Sequence, residues 1–438
     1  MSVKIWKVKP GIKMNGVLLA AGAGMLSSQA VLAGSVFINQ APSVATAPID
    51  VQEDAADNPM NVFIPAGVVN PDTAGLFQYG PVNLHPHVNY SWQDGTSVQS
   101  SPGTSQDTIL QSLSPGLTAD LGRHWTADYT PTLNFYSGGN FHQTVDHSAS
   151  LNGATRYEDW TLGVSQSFTA TADPDTATAA QTSQQTYATS LSAAYAFNDK
   201  WVANFGLAQD FNLVSGLQNS YNWSTSEGAN YQFSPRLYAG FSAGEGYTVV
   251  TQNGGTNSLN NPDVVNESFQ LTAGWRATEK ISLQGSVGVN DQQFLAAGYN
   301  DSLSPIFGAS IQYLPFRFTQ VALSASRSTG TSDYFTQAQS SDVTSVSLNL
   351  SQRILVHYNL NLGVSYARTE YTSTLATQNG ALGNERTDNQ YSFSASFGRS
   401  FLNHGNWSVT YAYNDNESSI EGYGQRSNQI GFQVGFSY

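Results

Sequence analysis

The sequence predicts an all-β fold: a closed antiparallel transmembrane β-barrel of about 18 strands, within a range of about 16–18. Three observations predict it. From residue 79 onward apolar residues recur with a period of two, the connections between these runs are short and long by turns, and aromatic residues collect beside both kinds of connection. Composition agrees. Of 438 residues only 11% are charged and 12% are aromatic, yet the mean hydropathy is -0.28. After residue 33 no apolar run reaches the ~20 residues that a membrane helix needs. There is no cysteine, which excludes disulfide frameworks, thiolate metal sites and cysteine nucleophiles.

The first element is an address. Lys4, Lys7, Lys9 and Lys13 form a basic leader without an acid, Gly16 to Leu26 is a short apolar stretch, and Val31-Leu32-Ala33 ends in small residues that a signal peptidase accepts. Residues 1–33 therefore read as a cleaved Sec signal peptide. Without those four lysines, 13 bases face 31 acids, a net charge of -18. So acidic a chain repels nucleic acid. Residues 34–78 contain no Lys or Arg, several prolines, and Asp50, Glu53, Asp54, Asp57 and Asp72. No period of 2 or 3.6 runs through them, so they read as an extended acidic segment, either a periplasmic tail or a plug in the barrel lumen. Residues 79–438 are the barrel.

In the first strand Val82, Leu84, Pro86, Val88, Tyr90 and Trp92 alternate with Asn83, His85, His87, Asn89 and Ser91. One face is apolar and the other polar. The same pattern places strands near 82–92, 109–121, 125–135, 145–155, 160–170, 187–197, 201–213, 221–233, 237–249, 265–277, 281–291, 303–313, 319–327, 344–352, 358–368, 389–397, 407–413 and 430–438. Connections after even-numbered strands are tight, as in Gly122-Arg123-His124, Asn198-Asp199-Lys200, Ser234-Pro235-Arg236 and Thr278-Glu279-Lys280. Those after odd-numbered strands are long and polar, as in 171–186, 250–264, 328–343, 369–388 and 414–429. Tight periplasmic turns and longer extracellular loops are what an outer-membrane barrel needs. Trp125, Trp160, Phe197, Trp201, Phe233, Trp275, Tyr313, Tyr358, Phe401 and Trp407 gather by the tight turns. Tyr90, Trp92, Phe135, Phe168, Tyr187, Phe211, Tyr221, Trp223 and Tyr247 gather near the loops. Two such bands are the aromatic girdles of a membrane wall.

The closing stretch, with Ile430, Phe432, Val434, Phe436 and Tyr438 alternating with small polar residues, resembles the C-terminal β-signal of Gram-negative outer-membrane proteins. The last residue is Tyr where that signal most often has Phe. The resemblance implies recognition by the barrel-assembly machinery and residence in the outer membrane, among its lipids and lipopolysaccharide. The opening Gly80-Pro81-Val82-Asn83-Leu84-His85-Pro86-His87-Val88 looks like the start of the β-barrel porin families, some of whose relatives sit near exopolysaccharide export systems. These families bring no site residues beyond the assembly signal.

With the polar register inward, the lumen is lined by small residues such as Ser190, Ser192, Asn222, Ser224, Ser226, Asn230, Gly240, Ser392, Ser394 and Ser396. Eight strands leave room only for side chains, whereas ~16–18 leave an aqueous channel. The inward charges expected to line the pore are Asp120, Asp128, Asp146 and Asp210, with His85 and His87. That field favours cations or neutral polar solutes. His85 and His87 on one face are too few ligands for zinc, no motif marks a nucleophile, and no cofactor is expected, so the chain reads as a non-enzyme. A passive channel for small polar solutes leads the functional readings. An export or uptake pore working with periplasmic partners, for polysaccharide or another dedicated substrate, and a non-conducting structural barrel follow it. Barrels of this size also occur as homo-oligomers.

Overall fold

Alternation and turn chemistry, not helix signals, govern the chain from its first described residue. The computed structural model describes residues 77–101, 104–175, 180–215, 218–252, 262–296, 298–331, 339–355, 357–373, 385–402 and 404–438. The expected leader 1–33 and all but the last two residues of the acidic segment 34–78 lie outside the described residues. The end of that segment is ordered: Phe77–Tyr79 turns back at Gly80 and pairs with Val82–Leu84.

Eighteen long strands follow. They are β1 (Val82–Ser101), β2 (Thr104–Leu121), β3 (Trp125–Tyr136), β4 (Thr144–Tyr157), β5 (Trp160–Thr171) and β6 (Gln184–Ala196). Next come β7 (Trp201–Val214), β8 (Gln218–Ser234), β9 (Leu237–Gln252), β10 (Val264–Thr278), β11 (Ile281–Phe294) and β12 (Ser302–Phe316). The last are β13 (Thr319–Thr331), β14 (Gln339–Ile354), β15 (Tyr358–Ser373), β16 (Arg386–Phe401), β17 (Gly405–Ser418) and β18 (Gln425–Ser437). Each pairs antiparallel with its sequence neighbours, and β18 returns to β1 from His87↔Ser437 to Thr96↔Asn428. The barrel is closed, so none of these eighteen strands presents an unpaired edge.

The tight turns have a local cause. Asn198 Oδ1 accepts the N–H groups of Lys200 and Trp201 at 2.9 and 3.0 Å. Ser234 Oγ accepts from Arg236 N at 3.3 Å, and Thr278 Oγ1 accepts from Lys280 N at 3.2 Å. A short polar side chain that caps the N–H two residues on closes the hairpin. Gly122 supplies the positive φ (69°) that its turn requires.

The loop end corrects the expected pattern. β1 and β2 are joined by residues 102–103 and β7 and β8 by 215–217, because segments read as loop continue as paired strand. Polarity alone made those segments look like loop. Ladder hydrogen bonds hold them regardless, since above an apolar belt the outer face has no need of apolar residues.

On the outer wall, Leu207, Leu271, Val287 and Val364 are about half exposed, with Trp125, Trp201, Phe233 and Trp275 near the turns and Phe135, Tyr187, Trp223 and Tyr247 near the loops. So much exposed apolar surface belongs against lipid. One sector breaks the rule. Glu245 of β9 lies directly opposite Glu267 of β10, which lies directly opposite Asp291 of β11. Each shares the face of Phe269, Leu271 and Val289, and Glu227 of β8 sits on the same face, opposite Phe205. The only base on β8–β11 is Arg276, near the turn end.

Candidate functional site

Which face is concave follows from contacts that skip a strand. His87 Nε2 of β1 meets Thr130 Oγ1 of β3 at 2.9 Å, across Gly116 of β2. A Cβ on Gly116 would lie 2.1 Å from His87 Nε2, so glycine is what lets the imidazole cross. Gln284 Nε2 of β11 likewise donates to Tyr238 Oη of β9 at 2.9 Å, with the tyrosine ring lying over Gly274. Side chains of non-adjacent strands converge only on the inside of a curved wall. All six charged or imidazole residues singled out in the sequence stand on that polar inner face by register.

They do not act alike there. Near the turn end, His85 Nε2 is 3.0 Å from Asp120 Oδ2, and its Nδ1 is 3.0 Å from the main-chain oxygen of Tyr438. Thr126 Oγ1 also donates to Asp120, which is 7% exposed. Asp128 accepts from Thr118 Oγ1 at 2.7 Å and from Thr130 Oγ1 at 3.0 Å. These bonds tie β1, β2 and β3 together beside the closure with β18. Tyr438 is held further by His404, stacked on its ring at 4.8 Å. In the assembly signal, Ile430 and Phe432 face outward and exposed, in register with Tyr411 and Val409 of β17. Val434 and Phe436 follow on the same face by alternation, and Phe436 packs edge-on against Phe401 at 5.3 Å.

At the loop end, Asp146 serves as a clasp. It is 5% exposed and accepts from Asn134 Nδ2 at 2.5 Å and from Ala172 N at 3.1 Å. Tyr136 Oη donates to the neighbouring Asp173 at 2.7 Å. His142 N and O pair with the Gln181 amide at 2.8 and 2.9 Å. The connection after β5 is thus fastened to the β3–β4 hairpin at both described ends. Beneath it an apolar cluster of Val98, Leu110, Tyr136 and Phe141 is buried on the inner wall. A bulge between Gly95 and Val98 re-aims Val98 inward to join it.

Two more inward contacts narrow the same end. Ser340 Oγ of β14 donates to Gln292 Oε1 of β11 at 2.6 Å, and Asp342 accepts from Arg327, Thr329 and Ser304. The β13–β14 hairpin therefore leans over the inner wall of β11 and β12. On the far side Arg386, 2% exposed, pairs with Asp388 through Nε at 2.8 Å and Nη2 at 2.5 Å. Its guanidinium lies over the rings of Tyr423 (4.2 Å) and Tyr371 (5.3 Å), which fastens the β17–β18 connection inward. Midway along the wall the inward residues Ser190, Ser192, Ser224, Ser226, Ser392, Ser394 and Ser396 all keep solvent contact.

The inward clasps were missed in the sequence. Their one legible signal was Leu110, an apolar residue in the polar register of β2. Among the described residues no group of three or more His, Asp or Glu is placed to hold a metal ion.

A closed antiparallel barrel with an apolar outer wall between aromatic bands and a polar inner wall is an outer-membrane β-barrel. No family description matches the chain, and no curated protein matches it by sequence. Among solved structures, it is similar to OpdL of Pseudomonas aeruginosa, with a TM-score of 0.44, 13% identity, and coverage of 82% of this chain and 99% of that one. OccK3 (OpdO) of the same organism gives 0.44 and 12%, covering 81% and 95%. The siderophore receptor PirA of P. aeruginosa gives 0.45 and 8%, covering 81% and 80%. The class of this chain rests on its own strand pairing and wall chemistry.

Proposed function

We propose that the barrel is a channel for passive passage of small polar solutes, with a neutral to cation-preferring lumen narrowed at the loop end. The observation that carries this reading is the mid-wall ring of small hydroxyl residues that keep solvent contact on the concave face of an 18-strand barrel. A wall of that circumference is not filled by serine and glycine, and it leaves an aqueous path. The contacts at Asp146, Asp342 and Arg386 narrow the loop end of that path, and among the described residues no cluster of inward bases accompanies them. They would set a size limit at the mouth rather than an anion filter.

The test is osmotic swelling of vesicles that contain refolded protein. Monosaccharides and small neutral amino acids should enter rapidly, with rates that fall steeply as solute size grows. Vesicles that swell no faster than protein-free ones in every solute would defeat the proposal in favour of a dedicated or non-conducting barrel.

A further inference from the structure

We propose that Asp210 is the residue that sets the ion preference of the lumen. The inference rests on the channel reading above and goes beyond it, because the other inward acids are already engaged, Asp388 among them by Arg386. Asp120 is buried between His85 and Thr126, and Asp146 is buried between Asn134 and the Ala172 N–H. Asp128 is hydrogen-bonded by two threonine hydroxyls. Asp210 differs in having a single neutral partner, the Asn222 amide directly opposite on β8, with Ala188 of β6 on its other side, and its side chain is exposed.

The surroundings leave its charge uncancelled. Strands β5–β9 carry no lysine or arginine, and their other acids, Glu227 and Glu245, are in the outward register of Phe205 and Tyr247. Asp210 is therefore the one charged side chain on the inner face of this sector, which is otherwise Ser, Thr, Asn, Gln, Gly and Ala with Val202, Val214, Val250 and the ring of Tyr238. Lys200, the nearest base along its own strand, lies in the turn ten residues away, roughly 30 Å along an extended chain. That is about three Debye lengths at 0.1 M salt. A unit charge acting on an ion about 7 Å away in water enriches cations and depletes anions, each on the order of two- to threefold. The neighbouring small side chains let permeating ions approach that closely.

Two experiments use the full-length refolded barrel. In planar bilayers under a KCl gradient at about 0.1 M, wild type should prefer K⁺. Asp210→Asn should lose most of that preference, a change on the order of twofold or more in the permeability ratio, and Asp210→Lys should turn it toward Cl⁻. At about 1 M salt, where the Debye length is about 3 Å, the differences should shrink. Because the chain has no cysteine, Asp210→Cys offers one thiol, which should react with a charged thiosulfonate reagent in the folded barrel, while Asp146→Cys should stay protected. Conducting variants with the wild-type reversal potential, or an unreactive Asp210→Cys, would overturn the proposal. A reactive cysteine in a barrel that never conducts would defeat the channel reading and this inference with it, while leaving the geometry of the wall intact.

Discussion

Neutralising Glu267 should make the barrel more stable, although nothing about the residue looks defective in the sequence. Its carboxylate stands between two others, with Glu245 directly opposite on one side and Asp291 on the other. Directly opposed residues have Cβ atoms ~5 Å apart, and cross-strand pairs of charges are worth about 0.2–1 kcal/mol each, unfavourable when the signs are alike. Glu267→Gln removes both repulsions, so it should stabilise by about 0.5–2 kcal/mol. Glu245→Gln removes one and should give about half as much. The cost of holding a carboxylate against lipid is relieved equally by either change, so the order of the two variants isolates the register. The assay is reversible guanidinium unfolding of the barrel in lipid vesicles, followed by tryptophan fluorescence. Equal or lower stability in Glu267→Gln, or a larger gain in Glu245→Gln, would mean that the three carboxylates do not repel one another across the strands.

Other outcomes test the clasps. Gly116→Ala puts a methyl group where the His87 imidazole crosses to Thr130 and should cost about 1–3 kcal/mol by overpacking, read in the same unfolding assay. His85→Ala leaves Asp120 buried with one hydroxyl partner and should cost about 1–3 kcal/mol, with Asp120→Asn in the same chain recovering part of the loss. Arg386→Ala strands Asp388 and takes the guanidinium from the Tyr423 ring, so the β17–β18 connection should become cleavable by chymotrypsin at Tyr423 and single-channel conductance should rise.

Strand number and order were legible in the sequence because every spanning segment must alternate, apolar toward lipid and polar toward the lumen. Tight turns such as Asn198-Asp199-Lys200 were legible because their chemistry is local. Strand ends at the loop side were not. Beyond the aromatic band the outer face need not be apolar, so Thr96, Ser97 and their neighbours lose the pattern while the ladder continues. The facing of Asp120, Asp146 and Asp210 could be read from alternation alone. Whether each was engaged or free could not, because the partners arrive from other strands and loops: His85 from β1, Asn134 from β3, the Ala172 N–H from beyond β5. The outer acid row was hidden for a similar reason. Glu245, Glu267 and Asp291 each look like an isolated exception until strand register sets them side by side.

The most direct measurement is the single-channel current of the refolded barrel in a planar bilayer. Steady ohmic steps are expected, with a reversal potential on the cation-preferring side, from an open wall of serine, asparagine and glycine with Asp210 exposed in it. A barrel that inserts and stays folded yet passes no current would contradict that expectation, and would mean that the inward clasps at Asp146, Asp342 and Arg386 belong to a closed structure rather than to the rim of a pore.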